Sequence, residues 1–414
     1  MSRPRYVLVG GGVAAASAAA ELRDRAFDGE ILLVTDEPRP PYERPPLSKG
    51  YLAGAAEPGG FDAQPPGWYA EHDVDLRTAT RVTEIDVAAR TVALSTGERH
   101  GYDALVLATG ARPRRLPGLP EGERVHYLRT LADAERLRPR LARAEHVVVA
   151  GAGFIGCEVA AAAVGLGAQV TIFDPEPVPL RQALGPRIGA VITEIHRAHG
   201  VDVRTGDHLT DVRHTREGLA VTSVLGHRIE CDLIVVGVGC EPNVELAADA
   251  GLPTGNGILV DAYAATAAPD VYAIGDAAGL HHPRYGRHVR VEHHDTAQRQ
   301  GRRLAANLTG QPEPFTEVPW FWSDQYDHTL QMLGRPRDLG DLVFRGSPED
   351  ADFSAFSLAD GRIEAVITLN RPRDVIDARR LIAGPHHVTP EQLKDESIRL
   401  KRLARSGTEA VNTP

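Results

Sequence analysis

The sequence predicts an α/β protein with two copies of one β-α-β unit and an α+β region at its C-terminal end. The pattern G-x-G-x-x-A/G occurs at residues 10–15 and 151–156, each time after a short apolar run and before a helical stretch. Apolar and polar residues alternate at 353–358 and 363–369, which is typical of antiparallel strands. The 414 residues are enough for two or three domains.

The first β-α-β unit has the residue order of a dinucleotide-binding site. After a predicted strand at residues 5–9, Gly10 permits a tight turn, Gly12 lets a pyrophosphate approach the backbone and Ala15 lets the helix pack close to the strand. The N-terminus of that helix offers unpaired N–H groups to the phosphates. We therefore predict a nucleotide site here rather than a simple loop.

Two further elements complete this unit. A helix is predicted over residues 16–27, and a strand over residues 30–35 leads to Asp36. The carboxylate of Asp36 is placed to accept hydrogen bonds from the ribose hydroxyls of the nucleotide. The apolar N-terminal run also resembles a signal peptide, but three consecutive glycines within it favour the β-α-β interpretation.

The second unit repeats this order. A strand is predicted over residues 146–150, a full G-x-G-x-x-G over 151–156, a helix over about 154–166 and another strand over 168–173. Two such units imply two dinucleotides, which is the arrangement expected when one bound cofactor reduces another.

Acidic residues after the second unit favour NAD over NADP. Asp174 and Glu176 lie where a 2′-phosphate would sit, and the next arginine along the chain is Arg181. A carboxylate accepts from the ribose hydroxyl of NAD and repels the phosphate of NADP. The alternative is that Asp174 only ends the strand and that Arg181 folds back to this position.

Charge and cysteine usage exclude several classes of protein. The net charge of −10 disfavours binding to nucleic acid or to an anionic membrane, and no apolar stretch is long enough to span a membrane. The three cysteines form no C-x-x-C pair, which indicates a reducing cytoplasm. The histidine pairs are adjacent in sequence, and because adjacency is not ligand geometry no metal site is predicted.

Four further segments resemble those of a known family. They are RPPLSK at residues 44–49, ATG at 108–110, YAIGD at 272–276 and WFWSDQ at 320–325. With the glycine loops, they make the chain similar over almost its whole length to the NADH-dependent ferredoxin reductases of bacterial P450 and Rieske dioxygenase systems. The RPPLSK and WFWSDQ segments are the specific ones, since the others are shared by a wide superfamily.

The resemblance implies an activity and a domain order. Hydride passes from NADH to FAD, and single electrons then pass to an iron–sulfur ferredoxin that serves an oxygenase. The implied fold is glutathione-reductase-like. The implied domains are an FAD-binding domain at 1–108 and 241–315, an NAD-binding domain at 109–240 and a C-terminal α+β domain at 316–414. A rubredoxin reductase or another NADH-dependent flavoprotein is the alternative, although rubredoxin reductases are not expected to carry the WFWSDQ segment.

The resemblance also assigns roles to residues. Lys49 would lie beside the reactive edge of the flavin, Glu158 would face the nicotinamide pocket and pair with Lys49, and Trp322 would cover the flavin. These three are the predicted catalytic residues, and they are also predicted to bind cofactor. The other predicted cofactor-binding residues are Gly10, Gly12, Val13, Ala14, Ala15, Asp36, Arg44, Val82, Ala108, Thr109, Gly110, Arg129, Gly151, Gly153, Ile155, Gly156, Asp174, Gly239, Gly275, Asp276 and His294.

Each catalytic residue has a structural alternative. Lys49 is one of only three lysines among 46 basic residues and follows a proline-stiffened segment, but it could be a surface lysine. Glu158 could be a solvated acid near a helix N-terminus. Trp320 and Trp322 alternate on a predicted strand and so share a face, but aromatic residues are usually core.

Two interpretations stay open. Where relatives usually carry small or apolar residues, the chain has His293 and His294, and His294 either contacts the flavin or only starts a helix. An acidic ferredoxin would need a basic docking face, while an ordinary solvated helix face is the alternative for each basic residue. The candidate docking residues are Arg302, Arg303, Arg379, Arg380 and Lys401.

Overall fold

The computed structural model describes residues 3–120 and 122–406, which divide into two compact units. The first unit comprises Met1–Pro45, Glu57–Arg112 and Cys240–Glu317. The second comprises Pro46–Ala56, Pro113–Gly239 and Val318–Pro414. The three-domain division stays a prediction.

A parallel sheet of five strands forms the centre of the first unit. Its order is Val271–Ala273, Ala104–Leu107, Arg5–Val9, Glu30–Val34 and Val74–Arg77. Its strands are almost continuously apolar, because helices or loops cover a parallel sheet on both faces. The helices Val13–Asp24 and His294–Leu308 pack together so closely that a Cβ at Gly301 would lie 2.3 Å from the carbonyl oxygen of Ala14.

Smaller elements complete this unit. An antiparallel sheet is formed by Val82–Asp86, Thr91–Leu94 and Arg99–Gly101. A mixed sheet is formed by Thr254–Gly255, Gly257–Val260, Ala278–His282 and Arg287–Val289. The remaining strands and short helices of this unit are Ala111–Pro113, Cys240–Pro242, Trp68–Glu71, Glu245–Asp249 and Gly275–Ala277. The short helix Pro45–Ser48 belongs, except for Pro45, to the second unit.

The second unit contains another parallel sheet of five strands. Its order is Asp202–Thr205, Gln169–Asp174, His146–Ala150, Leu233–Val236 and Val125–Tyr127. The helices of this part are Leu131–Leu141, Phe154–Gly165 and Arg181–Ala198. An antiparallel sheet of Leu209–His214, Leu219–Ser223 and Arg228–Cys231 adjoins it in sequence.

The C-terminal part of the second unit is an antiparallel sheet of five strands with three helices. The strand order is Trp320–Gln325, His328–Gly334, Arg362–Leu369, Asp352–Ala359 and Leu342–Ser347. The helices are Pro372–Ala383, Pro390–Lys394 and Leu400–Ser406. The sheet and helices share a core that includes Phe356, Val366 and Leu381.

The predicted fold class is confirmed, with shifts at the ends of elements. The first glycine helix begins at Val13 and ends at Asp24, three residues earlier at each end than the predicted range 16–27. Its N-cap is Gly12, so the helix starts within the glycine motif and not after it. The second glycine helix ends at Gly165, close to the prediction. Within residues 3–120 and 122–406, no helix is long and apolar enough to cross a membrane, and no cluster of three histidine, cysteine or acidic residues is placed to hold a metal ion.

Candidate functional site

The first glycine turn leaves open space at Gly12, where a pyrophosphate would approach the backbone. Gly10 has a φ of 132°, and a Cβ there would lie 2.1 Å from the carbonyl oxygen of Ala108. A Cβ at Gly12, in contrast, would meet no atom within 4 Å. The helix that begins at Val13 has no side-chain cap, so its first N–H groups are available to an anion. With Ala14 and Ala15 buried behind it, this turn fits the phosphates of a dinucleotide, and its assignment to FAD stays a prediction.

The two acids after the second strand face different surroundings. Asp36 is exposed, and its Oδ2 lies 3.3 Å from the guanidinium of Arg81. Glu37 turns inward and accepts hydrogen bonds from the Tyr42 hydroxyl at 2.6 Å and from Arg44 at 2.7 Å. No pattern in the sequence distinguishes Glu37, which holds the predicted cofactor-binding residue Arg44 in place.

The ATG and GD segments are fixed by hydrogen bonds within the first unit. The Thr109 hydroxyl donates to the Asn243 carbonyl at 2.7 Å, and the Asn243 amide donates to the Thr109 carbonyl at 2.8 Å. The N–H of Gly275 donates to Gln300 Oε1 at 2.7 Å. A Cβ at Gly275 would lie 3.1 Å from the Cβ of Ala14, so the GD turn closely approaches the first glycine helix. Ala108 and Gly110 flank Thr109 in this arrangement.

The other predicted residues of the first unit differ in how deeply they are buried. The Val82 side chain is buried in the core, and Asp276 is half-buried. His294 is half-buried, with Nε2 3.6 Å from Glu43 Oε1. Burial lowers the pKa of His294 and so favours the neutral imidazole. The nearby Glu43 carboxylate acts in the opposite direction. His293 occupies the N-cap position of its helix, but its side chain does not cap it.

The second glycine turn repeats the design of the first. Gly151 has a φ of 104°, and a Cβ at Gly156 would lie 2.0 Å from the Gly151 carbonyl oxygen. The helix that follows Gly153 has no side-chain cap, so its first N–H groups are available to phosphates. Ile155 in the first turn is 40% exposed, although it is a large apolar residue. This turn also fits the pyrophosphate of a dinucleotide, and its assignment to NAD stays a prediction.

The two acids beside this turn, Asp174 and Glu176, have different partners. Asp174 accepts hydrogen bonds from the backbone N–H groups of Ala152 at 2.5 Å and Glu176 at 2.8 Å, so it braces the glycine turn. Burial raises the pKa of Asp174, and these two N–H groups oppose that shift. Arg181 does fold back, but its Nε lies 3.2 Å from Glu176 Oε2 and is paired there.

A buried carboxylate joins the two segments that carry the most specific resemblance. Glu158 is 4% exposed and accepts from Lys49 Nζ at 2.8 Å, from the Ser323 hydroxyl at 2.7 Å and from the Ser48 hydroxyl. Glu158 is therefore not a solvated acid, and the expected pairing with Lys49 is present. Only 17% of the Lys49 side chain is exposed. Because these bonds involve ionised groups, they are stronger than neutral ones.

The tryptophans lie on one face of their strand, as the alternation predicts. The Trp320 and Trp322 rings are stacked with centroids 5.3 Å apart, and Lys49 Nζ is 5.9 Å from the Trp322 centroid. Phe321 faces the other way and packs edge-on against Phe154 at 4.7 Å. The half-buried Trp322 therefore lies beside the Lys49 ammonium rather than in the core.

Ser48 and Ser323 were not identified from the sequence, although both lie in the quoted segments. One signal for Ser323 was available, since alternation places it opposite Trp322 on a partly buried strand. Two further predicted residues lie elsewhere in the second unit. The Arg129 N–H donates to Asp133 at 3.2 Å next to a helix start, and Gly239 has a φ of 96°.

The candidate docking residues differ in their surroundings. Arg303 is paired with Glu313 and Glu317, so its charge is compensated locally. The other four candidates are exposed and form no ion pair with any described residue: Arg302, Arg379, Arg380 and Lys401.

Two glycine turns that fit dinucleotide phosphates and a buried lysine–glutamate pair define a pyridine-nucleotide-dependent flavoprotein reductase. The family profile described as pyridine nucleotide-disulphide oxidoreductase matches residues 4–301, and the profile described as reductase C-terminal matches residues 320–404. The chain belongs to the pyridine nucleotide-disulphide oxidoreductase family.

Its relatives define the class further. The chain is 39% identical to putidaredoxin reductase CamA of Pseudomonas putida over 96% of each chain. It is 41% identical to the ferredoxin–NAD(+) reductase component of the anthranilate 1,2-dioxygenase system of Burkholderia cepacia, over 97% of this chain and 99% of that one. A covalent putidaredoxin reductase–putidaredoxin complex matches with a TM-score of 0.95 and 38% identity, over 99% of this chain and 100% of that one. The chain is therefore a ferredoxin reductase with FAD and NADH as cofactors, which confirms the expected activity.

Proposed function

We propose that Lys49, Glu158 and Trp322 serve the reduction of flavin by NADH. The observation that carries this is the Lys49 ammonium, which a buried carboxylate holds at 2.8 Å. When bound, FAD would supply the hydride acceptor and the release of single electrons. The fixed Lys49 ammonium would stabilise the negative charge that develops as hydride arrives. The rate of flavin reduction in a Lys49→Met variant tests this role.

In this proposal Glu158 positions the lysine. A lysine side chain has four flexible carbon–carbon bonds, so an unpaired ammonium would sample many places. The Glu158 carboxylate, fixed in turn by Ser48 and Ser323, restricts Lys49 to one of them. This restriction is preorganisation, which lets the charge act without reorganising during the reaction.

The proposed acceptor is a small iron–sulfur ferredoxin that serves a P450 or a Rieske oxygenase. The names of the relatives support it, since they include a putidaredoxin reductase and a dioxygenase component. Disulfide reduction is disfavoured, because no cysteine occurs between Asp36 and Gly60. Burial also raises the pKa of the Cys157 thiol, which keeps it from acting as a thiolate.

We expect NADH to be preferred over NADPH by at least about tenfold in kcat/KM, which is about 1.4 kcal/mol. The carboxylates of Asp174 and Glu176 would repel a 2′-phosphate. A Glu176→Gln variant keeps the backbone N–H that Asp174 accepts, so it should narrow the preference without loosening the turn. Steady-state kinetics with both cofactors checks this, and Glu194→Gln, at another exposed acid, should change nothing. Equal use of NADPH by the unmodified protein would contradict the assignment.

Charge reversal at the exposed arginines tests the docking residues. Arg302→Glu and Arg379→Glu, made separately, should each slow electron transfer to an acidic ferredoxin by a few-fold at low salt. The loss should shrink as ionic strength rises, because exposed charges are screened beyond about 10 Å at 0.1 M. Ferricyanide reduction should be unchanged, and the paired Arg303 should be less sensitive. If ferricyanide reduction falls equally, the variant has damaged the flavin chemistry and not docking.

A further inference from the structure

The hydrogen bonds of Glu158 continue beyond Ser323 within the second unit. The Gln325 amide donates from Nε2 to Ser323 Oγ at 3.2 Å, and Gln325 Oε1 lies 3.1 Å from His196 Nε2. His196 Nδ1 lies 2.9 Å from the Tyr326 hydroxyl. Glu158, Ser323, Gln325 and His196 are each less than 5% exposed. Together with Tyr326, these four residues form one hydrogen-bonded line. In such a line the orientation of each side chain depends on its neighbours.

The chemistry of the groups fixes the direction of this line. The Ser323 hydroxyl gives its only proton to the carboxylate, so its oxygen accepts from the Gln325 amide nitrogen. Gln325 then presents its carbonyl oxygen to His196, which must carry a proton on Nε2. The other ring nitrogen, Nδ1, is left as the acceptor for the Tyr326 hydroxyl. Every donor therefore points toward Glu158.

His196 fits this neutral form. Burial lowers its pKa to about 4, an effect that the bond to Gln325 opposes and the charge of the nearby His199 reinforces. The His199 ring stacks on Tyr326 with centroids 3.6 Å apart, which holds the tyrosine at the outer end of the line. At neutral pH His196 is an uncharged donor with one fixed tautomer.

Strand geometry places the line opposite the tryptophans. Residues 321, 323 and 325 face inward on the strand Trp320–Gln325, while Trp320 and Trp322 lie on its other face. His196 comes from the helix Arg181–Ala198, so the hydrogen bonds through Gln325 and Ser323 link that helix to the carboxylate.

We propose that Gln325 and His196 are positioning residues that orient Ser323 and Glu158 and so fix the Lys49 ammonium. The inference rests on the proposed role of Lys49 for its catalytic consequence, but not for the positioning itself. Neither residue forms a hydrogen bond to Lys49 in the described part of the chain, so an effect on Lys49 has to pass along the line.

The lysine content of the chain provides a direct readout. Only Lys49, Lys394 and Lys401 are lysines, so a protein labelled with 15N at lysine Nζ gives at most three ammonium signals. The signal missing in Lys49→Met identifies Lys49. In the oxidised, FAD-loaded protein, Gln325→Leu should shift this signal and speed its proton exchange. Gln169→Leu, which changes an exposed glutamine of the same unit, should leave it in place.

A milder variant covers the case in which Gln325→Leu does not fold. Tyr326→Phe removes only the hydroxyl that bonds His196 Nδ1, and it should change the 15N shifts of the His196 ring and, more weakly, the Lys49 signal. A Lys49 signal unchanged in every folded variant would overturn the positioning proposal.

The kinetic arm separates this inference from the proposed function. In FAD-loaded Gln325→Leu, flavin reduction at saturating NADH should slow by about tenfold, while NADH affinity changes by less than about twofold. A shifted Lys49 signal with an unchanged reduction rate would support the positioning line and contradict the catalytic role of Lys49.

Discussion

A Lys49→Met variant should reduce its flavin with NADH about 100-fold more slowly than the unmodified protein. Methionine keeps the length and apolar character of the stem but removes the ammonium that Glu158 holds at 2.8 Å. The loss should appear in stopped-flow reduction at saturating NADH, because the charge acts on the developing anion and not on NADH binding.

The same substitution has a structural cost that needs a control. It leaves the carboxylate of Glu158, which is 4% exposed, with only two serine donors, and an uncompensated buried charge costs about 3 kcal/mol. The double variant Lys49→Met/Glu158→Gln removes both charges and should recover most of the thermal stability without recovering the rate. Lys394→Met, at an exposed lysine, should match the unmodified protein in both. An undiminished rate in Lys49→Met would make Lys49 a structural ion-pair partner only.

Alanine at two neighbouring glycines should separate folding from FAD binding. Gly12→Ala should keep the stability of the FAD-free protein, because its Cβ meets no atom within 4 Å. It should weaken FAD binding by at least about tenfold, or about 1.4 kcal/mol, because the methyl group enters the space for the pyrophosphate. Flavin content and titration with FAD measure this loss.

Gly10→Ala should have the opposite effect, because it should lower the stability of the FAD-free protein itself. Its Cβ would lie 2.1 Å from the Ala108 carbonyl oxygen at a φ of 132°, so the strained backbone should cost about 1–3 kcal/mol before any cofactor binds. Thermal unfolding of the two FAD-free variants distinguishes them. Full FAD binding by Gly12→Ala would mean that the pyrophosphate lies elsewhere.

The sequence was sufficient where local rules decide the structure. The glycine turns, their strands and the strands at 353–358 and 363–369 are confirmed, since they follow from steric limits and side-chain period. The two C-terminal strands are buried at nearly every residue, however, and not at every second one. The pairing of Lys49 with Glu158 was expected only through family resemblance, since the two are far apart in the chain.

The remaining parts of the site depend on tertiary packing. Asp36 and Glu37 are adjacent acids, and which one turns inward is decided by Tyr42 and Arg44, which no local pattern shows. Serine is common and mostly exposed, so its residue type does not mark Ser323 as part of a site. The hydrogen bond to Glu158, which depends on tertiary packing, does mark it. In the same way, nothing in the sequence separates His196 from the other histidines among the 17, because its partners Gln325 and Tyr326 lie far along the chain.

The path of the chain sets the order in which the two parallel sheets can be completed during synthesis. The parallel sheet with Gly151 uses strands between Val125 and Thr205 and closes with Leu233–Val236, one continuous stretch that emerges from the ribosome early. The sheet with Gly10 waits for its edge strand Val271–Ala273, and its glycine helix waits for His294–Leu308. The Gly151 turn therefore reaches its final sheet before the Gly10 turn, although the Gly10 turn is translated first.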